Sequence, residues 1–485
     1  MPIPRCMSTQ HPDNATVPFF AASAVLAGED EIREAFYAYS HLGCDEQMWD
    51  VEGKEIDTYV VKKLLTYYPE YFREHVIGQT LRLTLRVPNP TVERTEAKIL
   101  LETLESIPRS YDAARLFYER EAAPIFEVIL PLTTSARCID RVYRFYAEHI
   151  IGRQYARFRP DDITIADWIG EFHPAQIQVI PLFEDVPSML HAADIVAEYL
   201  RDKELSDQRV FLARSDTAMN YGLVSAAFAN KIALARLNEL STRSGVRLHP
   251  ILGVGSAPFR GGLSPRTAER VGAEYPSVVT FSIQSAFKFD YPVSEVRAAC
   301  DYLKTRTIEP ADPIDTGRAL ELIARYSNAY RQRVVELAPD INQLAKHVPS
   351  RRARKLHIGL FGYARELEGV RLPRAITFTC SLYSLGVPPE LIAFEALSDS
   401  DLAFIHEAYP SFEAEIQEAL SFTDFDSPLM TPTLRTALTR AGYPYNPHEE
   451  HLDLVRQMRA DLERGDAVQL SDLVARAGRL RRFLG

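Results

Sequence analysis

Two stretches, residues 177–184 (IQVIPLFE) and 209–216 (RVFLARSD), decide how the chain is read. Each is a short apolar run that ends abruptly in charge. A run of this length without polar alternation predicts a strand buried on both faces, as in a parallel sheet. Between the two lies an amphipathic helical pattern over 189–205. Strand, helix, strand in that order predicts a parallel α/β unit, and the acids Glu184 and Asp216 then fall at the same edge of it.

Working outward, similar runs occur at 79–87 (QTLRLTLRV), 125–132 (IFEVILPL), 247–253 (RLHPILG), 277–283 (SVVTFSI) and 375–380 (AITFTC). With a first strand at 35–40 (AFYAYS), the expected strands number eight. Helical patterns at 94–107, 223–242 and 292–305 separate several of them. No GxGxxG follows the first strand, which favours a (β/α)8 TIM barrel over a dinucleotide-binding sheet. We expect residues 1–485 to form a single elaborated barrel, with inserted helices at about 292–370 and further helices at about 388–485. No Gly/Ser-rich linker, repeat or low-complexity segment divides the chain.

The chain carries 55 basic and 66 acidic side chains, a formal charge of -11. That balance argues against nucleic acid as the main partner, because phosphate contacts supply most of such affinity. It leaves room for a local basic pocket that takes a small acidic substrate. The five cysteines (Cys6, Cys44, Cys138, Cys300, Cys380) form no CxxC pair, so a reducing cytoplasm is expected. The apolar stretch 17–27 contains a proline and is too short to cross a bilayer, so no membrane association is expected.

Polar residues cluster where the strands are expected to end. Arg214, Ser215 and Asp216 follow one strand. Gln284 and Ser285, with Lys288 close behind, follow another. In a barrel these ends form one rim, where active sites sit. Glu184 and Asp216 could share a hard divalent cation, or could cap the helices that follow. The loop 253–262 (GVGSAPFRGG) holds four glycines and Arg260. Its N–H groups, including those of Gly255, Gly261 and Gly262, could line an anion site, or the glycines could merely permit a tight turn. Arg82 and Arg86 point the same way from one strand, and a buried arginine needs an anionic partner. For Arg82 that partner is expected to be a structural carboxylate or a ligand; Arg86 lies nearer the strand's C-terminal end. His11 precedes a proline in an N-terminal loop and could exchange protons or lie idle. The basic run 350–355 (SRRARK) reads as a wet helical face or as a cap over an anionic pocket. The segment 448–451 (HEEH) is not HExxH and reads as solvated surface.

Taken together, several motifs resemble the archaeal-type phosphoenolpyruvate carboxylase family. They are 5–14 (RCMSTQHPDN), 43–54 (GCDEQMWDVEGK), 86–90 (RVPNP), 181–184 (PLFE), 214–222 (RSDTAMNYG), the loop 253–262, 284–291 (QSAFKFDY) and the final Leu484-Gly485. The resemblance implies a phosphoenolpyruvate/pyruvate-type barrel and a homotetramer. It implies a reaction of phosphoenolpyruvate with bicarbonate to oxaloacetate and phosphate, using Mg²⁺ or Mn²⁺. By similarity Glu184 and Asp216 match the metal-binding acids. His11, Arg86, Arg260 and Lys288 are the catalytic candidates. Arg82, Arg214, Ser215, Gly255, Gly261, Gly262, Gln284 and Arg351 are the substrate-binding candidates. Met219 stands where longer members carry a lysine, and Val254 where their Gly-rich loop has an earlier arginine. A mutase or lyase acting on an enolate would share the metal acids without consuming bicarbonate. A barrel-derived binding protein would hold the ligand without turnover.

Overall fold

The strand Arg82–Arg86 (RLTLR) shows how the molecule is organised. Side chains alternate between the two faces of a strand, and here both faces are buried. Leu83 and Leu85 join the main apolar core outside the sheet. Arg82, Thr84 and Arg86 face the other way, into the interior of a closed barrel. The computed structural model describes residues 2–51, 57–92, 94, 97–353, 366–367 and 369–485.

Eight parallel strands close the barrel in sequence order: β1 (Cys6–Ser8), β2 (Glu46–Asp50), β3 (Arg82–Arg86), β4 (Glu127–Leu130), β5 (Gln178–Phe183), β6 (Asp207–Ala213), β7 (Arg247–Gly253) and β8 (Thr280–Ile283). β1 pairs with β8 through Met7↔Ser282, which completes the circle. The (β/α)8 expectation therefore holds, although two of the expected strands are helices. Residues 35–40 lie in the helix Glu29–Ser40, whose first turn carries Glu29, Asp30 and Glu31. Acids there complement the helix dipole. Residues 375–380 lie in the helix Ala375–Ser384, which is buried almost all round. A helix without a wet face leaves no 3.6-residue polar stripe, so its sequence reads like a buried strand. The strands that replace them are β1 and β2.

The barrel interior is layered. At the N-terminal end of the strands Arg209 pairs with Glu46 at 2.6 Å and with Glu127 at 3.2 Å, and Arg82 pairs with Glu127 at 2.5 Å. Thr84 donates to Glu46 in the same layer. Above it lies an apolar layer of Met7, Met48, Ile129, Ile180, Leu182, Phe211 and Ile251. The C-terminal mouth is polar.

Helices after β8 run over Val293–Thr305 and Thr316–Ala345, and a two-stranded antiparallel pair, Glu366–Leu367 with Val370–Arg371, follows them. The stretch 292–370 is thus not wholly helical. Helices from Asp399–Ala408 to Leu470–Arg481 make up most of the remaining chain. Among the described residues no helix is long and apolar enough to cross a membrane.

Candidate active site

Glu184 follows β5 and Asp216 lies in the first turn of the helix Ser215–Tyr221 after β6. The two strands are neighbours, with Phe183↔Leu212 in register. Both acids therefore stand at the C-terminal mouth of the barrel. The backbone N–H of Leu132, beyond β4, donates to the Glu184 carboxylate at 2.7 Å. Glu184 is buried, and Asp216 is half-buried.

Arg260 lies beside them, fully enclosed. Its guanidinium donates to Ser215 Oγ at 3.1 Å, Asp13 Oδ2 at 3.1 Å, Gly485 O at 2.7 Å and Gln284 Oε1 at 2.6 Å. Burial pushes its pKa down, and the charges of Asp13 and Asp216 oppose that shift. Asp13 is itself a hub: its other oxygen accepts the Ala286 N–H at 2.7 Å. Ser215, Gln284 and Arg260 thus form one frame next to Asp216.

Arg86 ends β3 and grips Asp50, which ends β2, through Nε at 2.8 Å and a second guanidinium nitrogen at 2.9 Å. Two parallel bonds fix the plane of the guanidinium. His11 enters from the loop after β1, with Nδ1 2.9 Å from Thr9 Oγ1. Two cations hold this loop from behind. Lys288 donates to Ser8 Oγ at 3.1 Å, Thr9 O at 2.9 Å and Glu34 Oε1 at 2.7 Å. Arg351 donates to the carbonyl oxygens of Asn14 at 3.2 Å and Ala15 at 2.9 Å. Burial alone would raise the Glu34 pKa, but Arg352 and Lys288 together draw it down to about 2.

Several expectations need correction. Arg82 sits at the opposite end of the barrel, paired with Glu127 and with the Pro2 carbonyl, so it is the structural alternative that holds. Lys288 directs all three ammonium donors into the protein and does not face the mouth. Arg214 is fully buried, bound to Leu223 O and to Tyr409 Oη, each at 3.0 Å. The glycine N–H groups are not an anion cradle: Gly255 donates to Arg260 O, Gly261 to Pro258 O and Gly262 to Ala257 O, all within the loop. The tight-turn reading is the right one. Gly261 has φ +111°, and a Cβ there would meet Val254 Cγ1 at 2.5 Å; at Gly255 it would meet the Arg260 guanidinium at 2.7 Å. Arg351 and Arg352 are buried rather than part of a wet face, while residues 354–355 lie outside the described residues. His451 is also buried, 2.7 Å from Arg481. Beneath the loop, Phe259 N–H and Tyr383 Oη both donate to Glu390 at 2.7 Å, and Tyr409 donates to Glu415. Burial lifts these two carboxyls to about 7 and about 8.

Residues 3–485 match the family described as phosphoenolpyruvate carboxylase. A Methanothermobacter thermautotrophicus protein of that name is 53% identical over 487 residues, covering 100% of both chains. The chain belongs to the phosphoenolpyruvate carboxylase family. A Halobacterium salinarum phosphoenolpyruvate carboxylase is 50% identical over 493 residues, covering 100% of this chain and 99% of its own. Among solved structures, a Haloferax volcanii malate synthase with magnesium and glyoxylate covers 90% of this chain and 98% of its own, at 10% identity and a TM-score of 0.40. That likeness is too slight to argue from.

Met219 and Val254 are both buried in apolar packing. The donor chemistry at the mouth suits a hard cation. Magnesium typically takes one or two carboxylates and completes its shell with waters and substrate oxygens. Among the described residues no group of three or more His, Cys, Asp or Glu side chains forms a fuller cage. Glu184 and Asp216 are therefore the pair that could hold such an ion. Sequence reasoning missed Asp13, Asp50 and Glu34 as partners. The rule that buried arginine needs an anion points to a partner without saying which acid supplies it.

Proposed function

We infer that the chain catalyses the metal-dependent carboxylation of phosphoenolpyruvate by bicarbonate, giving oxaloacetate and phosphate. The observation that carries this reading is the family match over 3–485, with the motif residues Glu184, Asp216, Arg86 and His11 brought to one mouth of the barrel. Glu184 and Asp216 would hold Mg²⁺ or Mn²⁺, which supplies Lewis-acid stabilisation to charge developing on the enol oxygen.

The chain's own residues provide the rest. The Arg86 guanidinium, oriented by Asp50, matches the geometry of phosphate oxygens. A bicarbonate oxygen attacks phosphorus, and the phosphorus–enol oxygen bond breaks to leave carboxyphosphate and the enolate of pyruvate. His11 takes the proton of carboxyphosphate, which divides into CO2 and phosphate. The enolate methylene carbon then attacks CO2 to form oxaloacetate. Arg260 works behind this surface by holding Ser215 and Gln284 in place. Lys288 and Arg351 hold the loop that carries His11.

Malate dehydrogenase and NADH report oxaloacetate directly. NADH oxidation should require phosphoenolpyruvate, bicarbonate and a divalent cation together, and Asp216→Ala should abolish it. Turnover of phosphoenolpyruvate that ignores bicarbonate would overturn the assignment.

A further inference from the structure

The turn beyond β4 has an unusual backbone. Leu132 has φ +50°, in the left-handed region where a side chain with a Cβ is disfavoured. Such a conformation persists only when its surroundings impose it. What imposes it here is visible. The Asn89 side-chain amide donates to the carbonyl oxygens of Pro131 at 2.8 Å and Leu132 at 3.2 Å. Asn89 is 1% exposed, and its own Oδ1 accepts the Thr91 N–H at 3.0 Å, so the amide cannot turn over without losing bonds at both ends. On the far side of the turn, Thr133 N–H donates to Leu182 O at 3.0 Å and Thr133 Oγ1 to Leu130 O at 2.8 Å. The turn is therefore held between β5 and Asn89.

The consequence falls on Glu184. The Leu132 N–H that reaches its carboxylate at 2.7 Å points there because the turn is left-handed. If φ relaxed to the ordinary negative range, that N–H would swing away, and the rotation of the carboxylate plane would no longer be set by it. Asn89 touches neither Glu184 nor Asp216 in any bond described above, and still determines how one of them is aimed.

We propose that Asn89 is a positioning residue for the cation site: it pins the Pro131–Leu132 turn so that the Leu132 N–H orients the Glu184 carboxylate towards the position shared with Asp216. The proposal rests on the reading of Glu184 and Asp216 as cation ligands. Partners that orient metal ligands from behind are worth about 10- to 100-fold in metal affinity.

Mn²⁺ binding to the full chain, followed by electron paramagnetic resonance of the free ion, tests this without turnover. Asn89→Ala should weaken Mn²⁺ binding by about 10- to 100-fold. Asn89→Asp, which keeps the size and the acceptor but lacks both donors, should do the same, and serves if the alanine variant folds poorly. Adding Leu132→Gly to Asn89→Ala should recover much of the affinity, because glycine adopts positive φ without a clamp. A merely structural role would lower the melting temperature and leave Mn²⁺ binding and its recovery unmoved. Wild-type Mn²⁺ affinity in both Asn89 variants, with binding lost in Glu184→Gln, would overturn the positioning role alone. Undiminished Mn²⁺ binding in Glu184→Gln would instead remove the cation reading on which it stands.

Discussion

At the scale of single residues, the site is a set of cations already engaged by the protein. Arg260 is enclosed by Asp13, Ser215, Gln284 and Gly485, and Lys288 by Ser8, Thr9 and Glu34. They act as frame rather than as surface. His11, by contrast, is tied through one ring nitrogen to Thr9 Oγ1 and belongs to a loop held from behind. As the proposed base it should contribute about 10²- to 10⁴-fold to kcat. His11→Asn should therefore lose that factor in oxaloacetate formation while Mn²⁺ affinity stays at the wild-type value; full activity would end the assignment. The acids at strand ends were legible in the sequence because charge after an apolar run is conspicuous. The direction in which each cation points was not. Arg82 and Arg86 share a strand and a face, and their order along it places one at the closed end and the other at the mouth; which acid each would meet was not legible.

At the scale of elements, legibility followed the chemistry of the barrel interior. β5 to β8 read as strands because their inward positions are mostly apolar or small. β2 (EQMWD) escaped notice because neither face carries an apolar pattern: Glu46 and Asp50 point inward, each matched to an arginine on another strand, and Gln47 breaks the outer face, whereas β3 keeps Leu83 and Leu85 there. β1 is three residues long and offers no pattern at all. The Gly-rich loop read equally as an anion site or a turn, because glycine serves both, and its packing makes a sharp prediction. At Gly261 a methyl group meets Val254 in a backbone conformation that alanine resists. Gly261→Ala should cost about 2–3 kcal/mol of stability, measured by urea unfolding, because both overpacking and positive φ oppose it. An unchanged midpoint would show that the loop can repack. Arg260 in this loop bonds Ser215, the neighbour of Asp216, and feels the Asp216 charge, so loss of cation affinity should accompany the loss of stability.

At the scale of the whole molecule, protons and ions are distributed unevenly between the two ends of the barrel and its flank. Glu390 and Glu415 lie in the flank beneath the Gly-rich loop. Burial raises them from the ordinary 4.5 to about 7 and about 8. Over that window these two groups hold more protons in the folded chain than in the unfolded chain, so their contribution to stability is fully present below about pH 4.5 and declines as pH rises towards 8. Each carboxyl adds up to about 1.4 kcal/mol per pH unit to the slope. Unfolding at pH 5.5, 6.5 and 7.5 should show a shallower decline in Glu415→Gln than in the wild type, and equal slopes would refute the burial effect. The other end of the molecule is shut. Arg82, Glu127, Arg209 and Glu46 fill the tube with matched charge, and an apolar layer lies on top of them. Among the described residues the barrel axis is thus a cul-de-sac: whatever reacts at the rim must arrive and depart on the side of the mouth. In the proposed reaction the product cannot drain out below while fresh reactants enter above, so each turnover has to vacate the threshold before the next begins.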